Sequence, residues 1–312
     1  MRKKVIAIVG PTSSGKSALG IFLAKKFSGE VVSADSRQVY KGLDIGTGKV
    51  TESEMQGVPH HLLDVVSPKK QFSVDDFVKK ASKVMQKKDL PIVVGGTGFY
   101  VDTLLGRMTF PSVPPNPALR ARLETKNVEE LYNMLKKKDP ARAKTIEPKH
   151  KRRIIRAIEI AQHQLRQTTR ARALQGARPS LTLASSSLAP QSYETLWLGL
   201  SPAPAKLKQN IHKRLTARLK QGMVAEAKRL HNPPVGGGLS YKRMEELGLE
   251  YRYLARLLQN KISKQEFEAQ LEREINKYAK RQHRWFKRNK EIHWISSKTE
   301  ALRLAKKFLG GR

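Results

Sequence analysis

Gly10-Pro11-Thr12-Ser13-Ser14-Gly15-Lys16-Ser17 follows the apolar run Val5-Ile6-Ala7-Ile8-Val9 and precedes a helix-like run from Ala18 to Lys26. Set between a buried strand and a helix, these letters have the pattern of a phosphate-binding loop. The glycines let the backbone curl so that successive N–H groups point inward. Lys16 adds a point charge, Ser17 offers a hydroxyl to Mg²⁺, and the following helix presents its positive end. All eight residues are therefore expected to grip a di- or triphosphate. The loop alone does not say whether that ligand is a nucleotide.

Outward from the loop, residues 1–110 alternate strands and helices. The expectation is an α/β fold of the P-loop NTPase kind, with a mainly parallel sheet and helices on both faces. Strands are expected at Val5–Val9, Glu30–Ser33 and Ile92–Val94, and a helix over Val74–Lys87. Pro111-Ser-Val-Pro114-Pro115-Asn-Pro117 then fixes an extended hinge. Residues 118–167 turn helical and basic, with Leu131, Leu135, Ile154, Ile155 and Ile158 as apolar faces. Gly176 to Gln191 reads as a Ser, Ala and Pro-rich loop. Thr195–Leu200 reads as a strand returning to the first sheet. Helices follow over Pro204–Gln221, Val224–Leu230 and from Lys242 onward. The expected organisation is a catalytic core of 1–110 with 193–312, interrupted by a helical, arginine-rich insertion at 111–192.

Charge is the outlier in this chain of 312 residues. Sixty-one Lys and Arg against 27 Asp and Glu give a net charge of +34. A small-molecule enzyme gains nothing from that self-repulsion, whereas a polyanion partner explains it, nucleic acid first. The absence of cysteine excludes disulfides, thiol catalysis and cysteine-based zinc sites. No apolar run reaches ~18 residues, so no membrane-spanning helix is expected. The basic N-terminus caps a strand and does not read as a signal peptide. The cytoplasm is the expected address.

Asp35, in Val31-Val-Ser-Ala-Asp35-Ser36-Arg37-Gln38-Val-Tyr40, follows the second strand, at the sheet edge where ligands of open α/β folds bind. It can hold Mg²⁺ through water, act as a general base, or cap a turn. Gly95-Gly96-Thr97-Gly98 is a second glycine-rich strand-to-helix turn on the same edge. His60-His61 beside Asp64 suggests a metal, but adjacent strand residues face opposite ways, so structural or surface roles are expected. Two basic stretches stand out. One is the helix from Lys149 through Arg152, Arg153 and Arg156. The other is Lys277, Lys280, Arg281, Arg284, Lys287 and Arg288, which share one helical face, with Tyr278, Ala279, Gln282, Trp285 and Phe286 opposite. A stripe of one sign suits a phosphate backbone.

These segments together resemble the tRNA dimethylallyltransferase family, also called tRNA isopentenyltransferases. The resemblance is carried by Gly10–Ser17, Asp35-Ser-Arg-Gln-Val-Tyr-Lys-Gly-Leu-Asp-Ile-Gly-Thr47, Pro59-His-His-Leu-Leu-Asp64 and Val94-Gly-Gly-Thr-Gly-Phe-Tyr100. It continues through Arg153-Ile-Ile-Arg-Ala-Ile-Glu159, the helix with Arg214, Gly222-Met223, Leu247-Gly-Leu-Glu-Tyr-Arg252 and Tyr278-Ala-Lys-Arg-Gln282. It implies that the loop holds the diphosphate of dimethylallyl diphosphate with Mg²⁺, and not ATP. The acceptor it implies is the N6 amine of an adenosine beside the tRNA anticodon. Asp35 would be the base on that amine, Gln38 would read the adenine, and Thr97 would lie near the reacting centre. Arg214, otherwise an ordinary surface arginine, would bind the diphosphate beside Lys16. Ser36 and Arg37, with Arg120, Arg152 and Arg156 of the insertion and Arg153 between them, would contact tRNA, as would Lys280, Arg281 and Arg284. The enzyme is expected to work as a monomer.

Departures from the family pattern are Ser17 for the commoner Thr, Asn210 where many members carry a second arginine, and Lys149-His150 for Asn-Asp. The Asn210 change implies a weaker diphosphate grip, and the missing cysteine zinc finger implies a bacterial or organellar type. Three rivals share parts of the pattern: a P-loop small-molecule kinase, a transferase that prenylates free AMP or ADP, and a non-enzymatic RNA-binding protein. The basic surface opposes the first two, and Asp35 with Thr97 the third.

Overall fold

A computed structural model of the chain describes residues 2–109, 111, 113–175, 193–233 and 236–311. The loop expected over Gly176–Gln191 lies outside them. Six strands form one sheet: β1 (Lys4–Val9), β2 (Glu30–Ser33), β3 (His60–His61), β4 (Pro91–Gly95), β5 (Glu194–Leu200) and β6 (His293–Ile295). Their order is β3-β2-β4-β1-β5-β6 and every pairing is parallel. A parallel sheet is covered on both faces, so its strands are apolar throughout, and Val5 to Val9 are fully buried. The helices Lys16–Phe27 and Lys298–Leu309 cover one face through Leu19, Leu23, Ala24, Ala301 and Ala305.

Register sets the level of the functional turns. Val9 pairs with Gly95, and Ser33 with Val94. The chain therefore leaves β1 at Gly10, β2 at Ala34-Asp35 and β4 at Gly96 on one edge, side by side.

The molecule consists of two compact units, Met1–Met108 with Pro190–Arg312, and Thr109–Ala189. The second holds four helices, Pro117–Glu124, Val128–Lys138, Pro140–Thr145 and Lys151–Gln175. Its own core contains Leu119, Leu123, Leu131, Leu135, Ile154, Ile155 and Ile158. All five aliphatics expected to form apolar faces are buried there.

The first unit departs from expectation in two places. Between Tyr241 and β6 the chain forms three helices, Tyr241–Leu247, Leu249–Leu258 and Lys264–Phe286. Gly248 (φ +76°) breaks the first from the second, and Ser263 with Glu266 forms a capping box that starts the third. The short edge strand β6 was not expected, because three residues are too few to show an alternation. Among the described residues, no helix is long and apolar enough to cross a membrane.

Leu131 is fully buried in the helical unit. Leu131→Ala should cost about 2–5 kcal/mol in urea unfolding. Amide exchange should quicken in Val128–Lys138 and Lys151–Gln175 while β1 keeps its protection.

Candidate active site

The phosphate loop is tight before it is anything else. Gly10 sits at φ +142°, and a Cβ there would come within 2.4 Å of the Leu200 carbonyl. Gly15, at φ +95°, caps the helix Lys16–Phe27 without any side-chain bond to its first N–H groups. Those donors stay available to an anion. The Ser14 hydroxyl is buried with no hydrogen-bond partner, an orphan that a bound oxyanion would satisfy. Lys16 Nζ donates to the Pro11 carbonyl within the loop.

Distant side chains hold this curl. The Thr12 N–H donates to Gln282 Oε1 (2.8 Å), and Gln282 Nε2 donates to the Gly96 carbonyl (2.9 Å). One buried amide thus ties the β1 turn to the β4 turn. From the helix Pro204–Lys220, Asn210 Nδ2 donates to the Ser13 carbonyl (3.2 Å). One turn on, Arg214 donates from Nη1 to Thr12 Oγ1 (3.5 Å) and from Nη2 to the Gly48 carbonyl (2.8 Å).

Asp35 Oδ1 accepts from the N–H of Arg37 (2.8 Å) and of Gln38 (3.3 Å). The turn-capping reading and the catalytic reading are therefore compatible: one oxygen holds the turn and the other is not part of it. Thr97 Oγ1 accepts from the Ser36 N–H (3.1 Å), bracing the same turn from β4.

A cavity of about 80 Å³ is lined by Thr12, Lys16, Ser17, Asp35, Gln38, Arg214, Tyr278 and Gln282, with Val31 and Val94 supplying apolar wall. A wider cleft of about 1030 Å³ shares Lys16, Ser17 and Arg214 and adds Lys25, Lys26, Lys213 and Lys298, with Glu54 as its carboxylate. Burial first, then the Arg214 guanidinium, lowers the Lys16 ammonium to about 7, against the pull of Asp35. Burial and then Arg218 also lower Arg214. Burial pushes the Tyr278 phenol up, Asp35 adding to it. Lys16, Arg214 and Arg218 thus bring several cations close together beside the loop, an arrangement that favours an anion there.

Known proteins resemble this chain along nearly its whole length. The model of the family described as IPP transferase matches residues 38–289, and that described as isopentenyl transferase matches 3–71. The chain belongs to the IPP transferase family. It is 37% identical to tRNA dimethylallyltransferase 1 of Geotalea uraniireducens over 99% of this chain and 98% of that one. It is 37% identical to the tRNA dimethylallyltransferase of Carboxydothermus hydrogenoformans, over 97% and 94%. The solved tRNA isopentenylpyrophosphate transferase of Bacillus halodurans shares 31% identity, with a TM-score of 0.67 over 99% of this chain and 96% of that one. A eukaryotic dimethylallyltransferase acting on tRNA shares 25%, with a TM-score of 0.78 over 99% and 80%. These neighbours carry the P-loop NTPase-like α/β fold.

For an IPP transferase, the expected residues fall into three groups. Thr12, Lys16, Ser17, Asp35, Gln38 and Arg214 converge on one cavity. Lys280, Arg281 and Arg284 lie exposed on the outward face of Lys264–Phe286, and Ala279, Gln282 and Phe286 are buried on the other. In the helical unit Arg152 and Arg153 are exposed, but Arg120 and Arg156 are not simply outward cations. Both ion-pair with Glu159, which is 2% exposed and also accepts from the Asn116 N–H. A buried carboxylate requires such partners, so these two arginines brace the unit. Ser36 and Arg37 belong to the Asp35 turn and do not line the cavity.

The paired histidines have structural partners, as expected: His60 meets the Val58 carbonyl and His61 meets Glu30. Asp64 is held by Lys49, which also binds Asp44. His60 lines the small cavity as well, which its sequence position did not suggest. Asn210 instead donates to the Ser13 carbonyl of the loop, a contact its sequence position did not suggest. Sequence reasoning missed Gln282 and Tyr278 as site residues. Gln282 is the one polar member of an apolar helix face, and that is the signal that marks it.

The Lys16 pKa gives a test. In the free site Lys16 is largely neutral above about 7, and a bound polyanion returns it toward its ordinary 10.5. Anion binding in that window therefore takes up a proton. Calorimetry with inorganic diphosphate at about pH 8, in buffers of different ionisation enthalpy, should show roughly one more proton taken up than in Lys16→Met.

Proposed function

We propose that this chain transfers the dimethylallyl group from dimethylallyl diphosphate to the N6 amine of the adenosine beside a tRNA anticodon. The observation that carries the reading is one cavity in which the phosphate loop, Arg214 and the Asp35 carboxylate meet beside a valine wall. The loop N–H groups, Lys16 and Arg214 take the diphosphate. Val31 and Val94 give the prenyl chain an apolar surface. As the amine nitrogen bonds to the allylic carbon, the carbon–oxygen bond breaks and its electron pair leaves with diphosphate. Asp35 accepts the amine proton. Positive charge fixed around the leaving group is worth most in a site shielded from water.

Mg²⁺ suits the donor set. Ser17 offers a hard hydroxyl oxygen at the loop, and among the described residues there is no cluster of three or more His, Asp or Glu to hold a metal. A cation at Ser17 would take its remaining ligands from the diphosphate and water, as Mg²⁺ prefers. When bound, it would neutralise charge on the departing diphosphate.

The acceptor base has to leave its stack to reach Asp35, which costs unstacking energy. Phosphate contacts to Lys280, Arg281 and Arg284, and to Arg152 and Arg153, offset that cost. Gln38, beside Asp35, reads the entering adenine, with Thr97 near the reacting centre and Ser36 and Arg37 bordering the base. The Thr109–Ala189 unit serves the tRNA, and the enzyme acts as a monomer in the cytoplasm.

Incubation with radiolabelled dimethylallyl diphosphate should label tRNA and neither AMP nor ADP, and ATP should not be turned over. Label in AMP would assign the site to free nucleotides. Asp35→Ala should keep tRNA affinity yet slow single-turnover transfer by about 10²–10⁴-fold. An unchanged rate would reduce Asp35 to its turn.

Each phosphate contact contributes about 0.7–0.9 to the salt slope of binding. Changing Lys280, Arg281 and Arg284 together to Ala should flatten the slope for tRNA by about two units, with diphosphate binding unaffected. Titrations across a salt series read this directly. Parallel slopes for variant and parent would leave the stripe without a nucleic-acid role.

A further inference from the structure

Glu226 lines neither cavity, is 1% exposed and sits in the helix Met223–His231. A buried carboxylate is costly unless its lone pairs are filled. This one accepts four hydrogen bonds. Oε2 takes the N–H of Asp44 (3.0 Å) and of Ile45 (2.7 Å). Oε1 takes the N–H of Gly46 (2.9 Å) and the Tyr251 hydroxyl (2.6 Å). Burial, and then the Glu226 charge, holds the Tyr251 phenol well above its ordinary range, so it remains a donor. Three consecutive N–H groups on one carboxylate fix the path of that backbone.

The path leads to the site. The Gly46 carbonyl accepts from Arg218 Nη1 (2.6 Å), which also meets Glu250 (3.2 Å). Two residues on, Gly48 turns at φ +59° and presents its carbonyl to Arg214 Nη2 (2.8 Å) and to Gln38 Nε2 (3.2 Å). A Cβ on Gly48 would lie 2.3 Å from Nη2, so only glycine allows this approach. The same guanidinium reaches Thr12 of the phosphate loop.

We infer that Glu226 is a positioning residue for the donor end of the reaction. By ordering Asp44-Ile45-Gly46 it aims the Gly48 carbonyl, and that carbonyl sets the Arg214 guanidinium against the leaving diphosphate. The inference rests on the reading that the phosphate loop holds the donor diphosphate.

The test is a double-mutant cycle. Glu226→Gln keeps the shape but turns one acceptor into a donor facing donors. It should lower kcat/KM for dimethylallyl diphosphate by about tenfold or more, while the KM for tRNA stays within about twofold. In an Arg214→Ala background the same change should cost less than about twofold, because the pathway is already cut. Independent losses that multiply in the double variant, or a loss that falls on tRNA KM, would overturn the inference. Should Glu226→Gln not fold by circular dichroism, Tyr251→Phe removes one of the four bonds. It is run through the same cycle, with about threefold expected. The cycle is repeated on binding of inorganic diphosphate by calorimetry, which needs no acceptor. A parent that binds diphosphate but labels no tRNA defeats the functional reading, and the Glu226–Arg214 coupling is still measured.

Discussion

Parallel pairing of β4 with both β1 and β2 is the constraint from which the site follows. Each of these strands ends at the same level, so the chain turns at Gly10, at Asp35 and at Gly96 within reach of one another. β1 is buried on both faces, so close packing from either side holds that register in place. The phosphate loop, the Asp35 turn and the Thr97 turn thus inherit their relative positions from a hydrophobic core that has no chemistry of its own. Gln282 then locks two of the three turns with a single amide.

Electrostatics divides the charged groups by what neutralises them. Glu159 and Glu226 are buried carboxylates surrounded by donors inside the protein, and buried Glu250 meets the Arg218 guanidinium. Lys16 and Arg214 differ. Their donors go to carbonyls and a hydroxyl, and neither makes an ion pair with the described residues. Burial lowers both, Arg214 further lowers Lys16 and Arg218 further lowers Arg214, with Asp35 pulling the other way on each. A diphosphate would supply what the fold withholds. The outward stripe on Lys264–Phe286 carries the same logic to the surface, where cations stand together with little acid beside them.

Much of this was legible in the chain. Gly10–Ser17 after five apolar residues has the spacing of a phosphate-binding loop. The three-and-four spacing from Lys277 to Arg288 places basic residues on one face and Ala279, Gln282 and Phe286 on the other, as the burial confirms. Leu131, Leu135 and the isoleucines of Lys151–Gln175 announce their own small core in the same way. In the region from Tyr241 the pattern was less readable. One basic amphipathic run hides two breaks, and the positive φ of Gly248 and the Ser263 capping box are features of two or three residues that a longer periodicity obscures.

The sequence by itself determined the local chemistry: which loop curls, which strands are buried, which helix faces are charged. Those properties depend on neighbours a few residues apart. Only the tertiary structure decided that Gln282 would hold Thr12 from 270 residues away, that Arg120 and Arg156 would share Glu159, and that Asn210 would grip Ser13. It alone made Glu226 the support of a backbone that aims Arg214. A hydrogen bond between distant residues leaves no period in the chain. Its geometry is set by how separate elements pack, and a lone Gln, Asn or Glu in a helix reads the same whether it ends in solvent or at the centre of a site.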